Sequence, residues 1–208
     1  MSGASPKHVL QFLLLAAALA GLAYFTWRAN QRRRKAWSDF AARHDWSFEE
    51  SWGDMEVRGP FLGGELRLRT EMRRRGKSRE IVTVLQLSLG DTLPPSLVLE
   101  PEGLGDKFLK LFGRKGEEVG DEALDAALDL KHVSPEARSI LLAPRVREPL
   151  LALHRQYSRF SIESGRLTAE QRGLPETVGA LELRVAPALA LAEALDVVAR
   201  HPEERVRG

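Results

Sequence analysis

Nineteen consecutive residues without a charge, Val9–Trp27 (VLQFLLLAAALAGLAYFTW), constrain this chain more than anything else in it. Gln11 and Thr26 are the clearly polar side chains in the run. As a helix it rises about 28 Å, at roughly 1.5 Å per residue, against a hydrocarbon core about 30 Å thick. The run is apolar on every side, so it does not read as an amphipathic helix lying flat on a surface. Tyr24 and Trp27 fall at one end, where amphipathic rings sit among lipid headgroups. A transmembrane helix over residues 9–27 is therefore the first expectation.

The flanks give its orientation. Lys7 and His8 precede the run; Arg28, Arg32, Arg33, Arg34 and Lys35 follow it. Basic residues stay on the cytoplasmic side, which places the C-terminal bulk in the cytoplasm of a single-pass inner-membrane protein. The same collar is expected to lie against the anionic leaflet, at about 1 kcal/mol per basic residue near the surface. The rival reading is a cleaved signal peptide, with Ala18-Leu19-Ala20 as the cleavage site and export of the remainder. Against it, the segment before the run is weakly charged, the run continues to Trp27, and the arginine cluster beyond it opposes export.

The formal net charge of +2 conceals an asymmetry. Lys7 and the five-residue collar supply +6, which leaves −4 for Ala36 to Gly208. The folded part is thus not a basic nucleic-acid binder, and a nucleic-acid partner is not expected. The chain has no Cys, which excludes disulfides, thiolate metal sites and cysteine nucleophiles.

The chain divides into a short tail (residues 1–8), the membrane helix (9–27), a basic juxtamembrane linker that could extend the helix (28–36), one folded domain (37–199) and a charged tail (200–208). Within the domain, Trp37, Phe40, Ala41 and His44 predict a short helix over Trp37–His44. The period then changes to two. Trp46–Phe48, a run with Met55, Val57 and Phe61, the alternating stretch Leu66–Met72, and Ile81–Leu89 read as strands. Gly63-Gly64 supplies one turn, and Arg73–Arg79 (RRRGKSR) forms a hairpin tip with Gly76 free to take a positive φ. Asp91–Pro95 is a loop and Ser96–Glu100 a further strand, the whole arranged as an antiparallel meander. Asp106 caps a helix over Lys107–Phe112 that stops at Gly113. Ala126–Val133 reads as either helix or strand, with a strand from Leu128 preferred. Ser134-Pro135-Glu136 opens a helix to Leu142, and Pro144 opens another to about Tyr157. Arg159–Glu163 and Arg166–Glu170 make a hairpin about Ser164-Gly165. Pro175 opens the last helix, striped with Leu181, Val185, Leu189, Ala192, Leu195 and Val198 and interrupted by Pro187. Strands and helices are partly segregated, so the class is α+β with a mainly antiparallel sheet.

The motifs exclude more than they assign. Gly76-Lys77-Ser78 ends like a phosphate-binding loop, but Glu71 stands where its first Gly belongs, and a strand follows instead of a helix. Asp121, Asp125 and Asp129 share one side if helical, yet no cation-loop spacing is present; Asp125 reads better as a cap or buried acceptor. No His pair has zinc spacing, and His154 reads as a packing residue. There is no nucleophile elbow and no kinase signature. No cofactor is implied and no catalytic or metal residue is chosen. One candidate anionic-partner patch remains: Arg73, Arg74, Arg75, Lys77 and Arg79 lie in a span, Glu65–Arg79, that nets +5. The bland alternative is a solvated hairpin tip, charged against edge aggregation.

Gly120-Asp121-x-x-Leu124-Asp125, then Ser134-Pro135-Glu136-Ala137-Arg138, Leu141-Leu142-x-Pro144 and Phe160–Leu167, together resemble a group of uncharacterised bacterial domains often found next to membrane-spanning helices. Those read G-D-x-x-F-D-x-x-F-x-V, then A-R-x-L-L-x-P, then a hairpin with a Gly turn. Gly59–Arg69 is similar to their G-x-x-x-G-R strand pair. Here Leu124 and Leu128 replace aromatics and Glu65 takes a basic position. The likeness spans Trp37 to Val198 and implies a bacterial, membrane-tethered domain. It carries no activity or ligand, so it transfers no site residue. The functional expectation is a scaffold or interaction module for a protein partner; the alternatives are an anionic-lipid or nucleic-acid sensor and a hydrolase without a local signature.

Overall fold

The computed structural model describes the backbone of residues 6–76, 78–101, 117–157 and 159–201, with side chains from Leu15 onward except Arg75. The expected helix over Lys107–Phe112 lies outside the described residues.

Helix α1 runs unbroken from Pro6 to Arg43. The short helix expected over Trp37–His44 is therefore the last part of a longer one. The reason lies in Arg28–Lys35: arginine, alanine, glutamine and lysine are helix formers, and no Gly or Pro interrupts the ladder. Residues 28–36 are helical. The character of α1 changes along its length. Leu15, Leu19, Leu22, Tyr24, Phe25 and Trp27 are 51–70% exposed, whereas Ala36, Trp37, Phe40 and Ala41 are buried in the core. Among the described residues no helix is long and apolar enough to cross a membrane. Residues 9–14 of the expected span fall outside the described side chains.

After a tight reversal at Asp45 come β1 (Ser47–Ser51), β2 (Asp54–Phe61), β3 (Gly64–Arg75), β4 (Ser78–Ser88) and β5 (Val98–Pro101). Then follow α2 (Glu122–Ala127), β6 (Leu128–Lys131), α3 (Pro135–Leu142), α4 (Pro144–Gln156), β7 (Arg159–Glu163), β8 (Arg166–Arg172) and α5 (Val178–Arg200). The eight strands form one antiparallel sheet in the order β1-β2-β3-β4-β8-β7-β5-β6. The meander holds through β4 and then breaks, because the β7–β8 hairpin inserts between β4 and β5. Strand β4 buries Val82, Thr83, Val84 and Leu85 in succession. Buried backbone N–H and C=O groups need partners on both edges of such a strand, and β8 supplies the second edge.

One face of the sheet is the core face. Val57, Leu68, Leu85, Ala169 and Phe160 line up across it by register, as do Leu66, Leu87, Leu167 and Ile162. They form one apolar cluster with Trp37 and Phe40 of α1, Leu150 and Leu153 of α4, and Leu181, Val185 and Leu195 of α5. Val82 and Val84 point to the opposite face and do not belong to that cluster. The domain is thus two layers, helices on one side and a charged sheet face on the other, which is the expected α+β class.

Local chemistry explains the ends of the elements. The β1–β2, β2–β3 and β7–β8 turns each place two residues at positive φ: Trp52-Gly53, Leu62-Gly63 and Ser164-Gly165. That is the hairpin geometry matched to strand twist. The β3–β4 tip is smaller than expected, since Arg75 pairs with Ser78 and Arg73 to Arg75 belong to the strand. Ser134 caps α3 by accepting from Ala137 N at 3.1 Å. The last helix starts at Val178 rather than at Pro175, because Thr177 Oγ1 accepts from Ala180 N at 3.1 Å and fixes the cap there. Pro175 stays outside, where its carbonyl accepts from Trp37 Nε1 at 3.2 Å.

Gly59 marks a close approach. A Cβ built there would stand 1.8 Å from Trp46 Cδ1, and Trp46 is itself held by its Nε1 donating to Pro60 O. Gly59→Ala should destabilise the chain by about 1–3 kcal/mol, the usual range for overpacking. Denaturant unfolding in detergent micelles, read by circular dichroism, checks this; an unchanged midpoint would mean that Trp46 does not pack on β2.

Candidate functional site

Two clusters draw on the basic residues singled out in the sequence. The first is the junction where α1 enters the domain. Arg33 Nε and Nη2 donate to Glu176 Oε1 at 2.9 and 2.5 Å, and Arg34 Nε lies 3.0 Å from Glu50 Oε2. Lys35 bonds Asp39 one turn on at 2.8 Å. Arg28 reaches only Tyr24 Oη, at 3.4 Å, and Arg32 is exposed. The collar therefore divides. Arg33 and Arg34 grip the β8–α5 loop and β1, while Arg28 and Arg32 face outward. At the far end of the seat, His44 Nε2 lies 3.1 and 3.2 Å from the two carboxylate oxygens of Glu182, with its ring stacked on Trp46 at 4.3 Å. These contacts fix α1 against α5 and β1 over about three turns.

The second cluster is the open sheet face. Alternation places Glu56 of β2, Arg67, Arg69, Glu71 and Arg73 of β3, Glu80 of β4, Arg159 of β7, and Glu170 and Arg172 of β8 on it. The acids are tied to arginines. Glu56 accepts from Arg58 and Arg67. Glu71 pairs with Arg69 at 2.5 Å and with Arg73 at 2.8 Å, and Arg73 also bonds Glu170 at 2.8 Å. Arg172 and Glu80 are 3.5 Å apart. Toward the hairpin tip the face opens into a cleft of about 220 Å³ floored by Val82 and lined by Arg73, Arg74, Arg159, Arg172, Glu80 and Glu170.

Of the predicted patch, Arg73, Arg74 and Arg79 are exposed on the two strands of the tip; the Arg75 side chain and Lys77 lie outside the described residues. Arg159 and Arg172 were not legible as neighbours of this patch. They come from the β7–β8 hairpin, and register alone brings Arg172 opposite Val82 and Arg159 opposite Glu170. The alternation within β7 and β8 is the signal that puts both arginines on the face away from Phe160 and Leu167.

The electrostatics favour binding over proton transfer. Burial by itself would raise the Glu56 carboxyl, but hydrogen bonds from Arg58 and Arg67 overcome it and hold the group at about 2. A carboxylate so far below neutrality is a poor general acid. Among the described residues no group of three or more His, Asp or Glu converges as metal ligands.

The residues behind the family resemblance also have structural work. Asp121 caps α2 by accepting from Ala123 N and Leu124 N at 3.0 Å, and Arg147 Nε bonds it at 2.7 Å. The Arg147 hydrogen bond and the Leu124 N–H hold its carboxyl below the usual range. Asp125, inside α2, accepts from Val119 N and Gly120 N at 2.8 and 3.0 Å and so ties down the loop before the helix; the cap itself is Asp121. Leu124 and Leu141 are core residues. No family model, curated protein or solved structure matches the chain.

Because the Glu56 carboxyl is depressed in the folded state, its contribution to stability is complete above its ordinary value of 4.5 and fades as pH falls toward about 2. Glu56→Gln should unfold more easily at neutral pH and lose less stability than the parent across that acidic window. Parallel pH profiles of the two proteins in thermal melts would contradict the arginine bridge.

Proposed function

We propose that this chain is a single-pass inner-membrane protein that holds its α+β domain on the cytoplasmic face, as a non-catalytic binding module for a protein partner. The observation that carries the reading is α1: one helix whose apolar side chains from Leu15 to Trp27 stand exposed and whose last turns are buried in the domain core. Exposed apolar surface on that scale is costly in water and favourable in lipid. Together with Val9–Leu14, which continue the uncharged run, the exposed stretch has the length of a span. The collar supports the orientation, with Arg28 and Arg32 at headgroup level beside Tyr24 and Trp27. The absence of catalysis is supported by the charged face, where Glu56, Glu71 and Glu170 are each engaged by arginine.

The anchor is tested in cells. The full chain should sediment with membranes, resist extraction at alkaline pH, and survive protease added outside spheroplasts. Leu19→Arg with Leu22→Arg should release it, since each arginine at mid-span costs about 2.5–3.5 kcal/mol on insertion. A mature chain beginning near Gly21, or digestion from outside, would overturn the reading in favour of export. Turnover of hydrolase substrates by the detergent-purified chain would overturn its non-catalytic part.

A further inference from the structure

The path of the chain sets which end of the domain faces the anchor. Strand β1 turns back at Asp45 and runs alongside α1 toward its N-terminal half, because its fourth residue, Glu50, pairs with Arg34, nine residues before the helix ends. Two further residues advance roughly 7 Å at most, which brings the β1–β2 turn about level with residue 30 of α1, about 5 Å short of Trp27. That turn is Trp52-Gly53.

Trp52 is fully exposed, at 104%, and sits at φ +52°. A bulky side chain rarely takes that left-handed conformation. The hairpin turn calls for a positive φ at this position, but a side chain as large as tryptophan gains no burial within the domain for the apolar area left in water. Such a position points to a role outside the fold.

Strand β3 ends on the same side and goes further. Glu56 pairs with Arg69, which sets Met72 level with the β1–β2 turn and carries Arg73 to Arg75 past it before the tip reverses into Ser78 and Arg79. Met72 and Ile81, paired across the tip, are exposed at 62% and 44%. Arg74 and Arg79 are exposed beside them. Strand β8 also ends here, since Glu176 just beyond it meets Arg33. The opposite end of these strands carries Leu62, exposed at 48% and also at positive φ, with Glu65, Asp91 and Glu163 beside Arg166. Among the described residues the end of the sheet nearest the anchor thus has three exposed large apolar side chains, Trp52, Met72 and Ile81, against Leu62 at the other, and Arg74 and Arg79 stand beside them.

We infer that this rim is a second bilayer contact: Trp52, with Met72, Ile81, Arg74 and Arg79 of the β3–β4 tip, engages the anionic surface of the same membrane. The inference rests on the anchor reading above. Tryptophan supplies an amphipathic ring suited to headgroup depth, and the arginines supply charge complementarity to anionic lipid. The rigid seat of α1 brings the rim to the surface in one orientation, and the contact would hold the domain upright on its anchor.

The chain has no cysteine, so single labels are clean. The full chain is reconstituted in phosphatidylcholine vesicles with and without phosphatidylglycerol, with a nitroxide at Ser51→Cys, Asp91→Cys or Leu19→Cys. Access of dissolved oxygen and of a water-soluble nickel chelate is then read by electron spin resonance. The expected result is lipid contact at residue 51 in the anionic vesicles, water at residue 91 and lipid at residue 19. Trp52→Ala should release residue 51. Arg74→Gln with Arg79→Gln should lower its docked-to-undocked ratio roughly 30-fold, at about 1 kcal/mol per arginine. Residue 51 in water while residue 19 is in lipid overturns the second contact and leaves the anchor standing. Residue 19 in water overturns both. Contact at residue 51 that ignores lipid charge overturns the part given to the arginines.

Discussion

A helix that leaves a core keeps its direction for as long as its backbone ladder continues, and in this protein everything outside the domain is aimed by that fact. Trp37 and Phe40 are completely buried, and Trp37 is pinned by its indole N–H to the Pro175 carbonyl. Side chains of this size contribute about 1.5–3 kcal/mol each on burial. Four residues before Trp37, Arg33 binds Glu176, and Arg34 binds Glu50 on a different element. The helix is therefore held from the side by apolar packing and from two directions by ion pairs. The ladder then continues, without Gly or Pro, through Arg28 into the apolar half.

This changes what the basic collar does. As a sequence it reads as a belt of charge for the inner leaflet. In the fold, neighbouring arginines have different tasks, because successive helical residues point about 100° apart. Arg33 and Arg34 face the domain, while Arg28 and Arg32 do not. The same division recurs on the sheet. Arg67 neutralises Glu56 across strands and Arg69 and Arg73 neutralise Glu71 along β3, whereas Arg74, on the alternate face of β3, does not join them. Arg33, Arg34, Arg67, Arg69 and Arg73 thus maintain the fold, and the arginines proposed for an outside partner are ones that periodicity turns away from these acids.

Much of the fold was legible, and for identifiable reasons. Alternation at Leu66–Met72 and the Gly at Gly76 gave strands and a tip at the right places. Ser134-Pro135 and Pro144 gave two helix starts, because a cap and a proline at the first position act locally. Pro175 misled, since Thr177 two residues later supplies a stronger cap. The order of the strands was not legible: that β8 rather than β5 lies beside β4 depends on contacts between distant segments. The junction was half legible. The arginines stood out, but Glu50 and Glu176 had no local mark. Trp52 drew no notice, because an aromatic before a Gly reads equally as core or turn; only its exposure and positive φ distinguish it.

The domain keeps one direction relative to the apolar half of α1 only if the helix is one rigid rod across the collar. Nitroxides at Ala23→Cys and Ser38→Cys in the reconstituted full chain measure this by pulsed electron spin resonance. Fifteen residues of continuous helix place the two backbones about 22 Å apart, and the account predicts a single narrow distance distribution set by that separation. A broad distribution, or one centred well below it, would place a hinge at Arg28–Lys35 and leave the domain free to swing relative to the apolar half of α1.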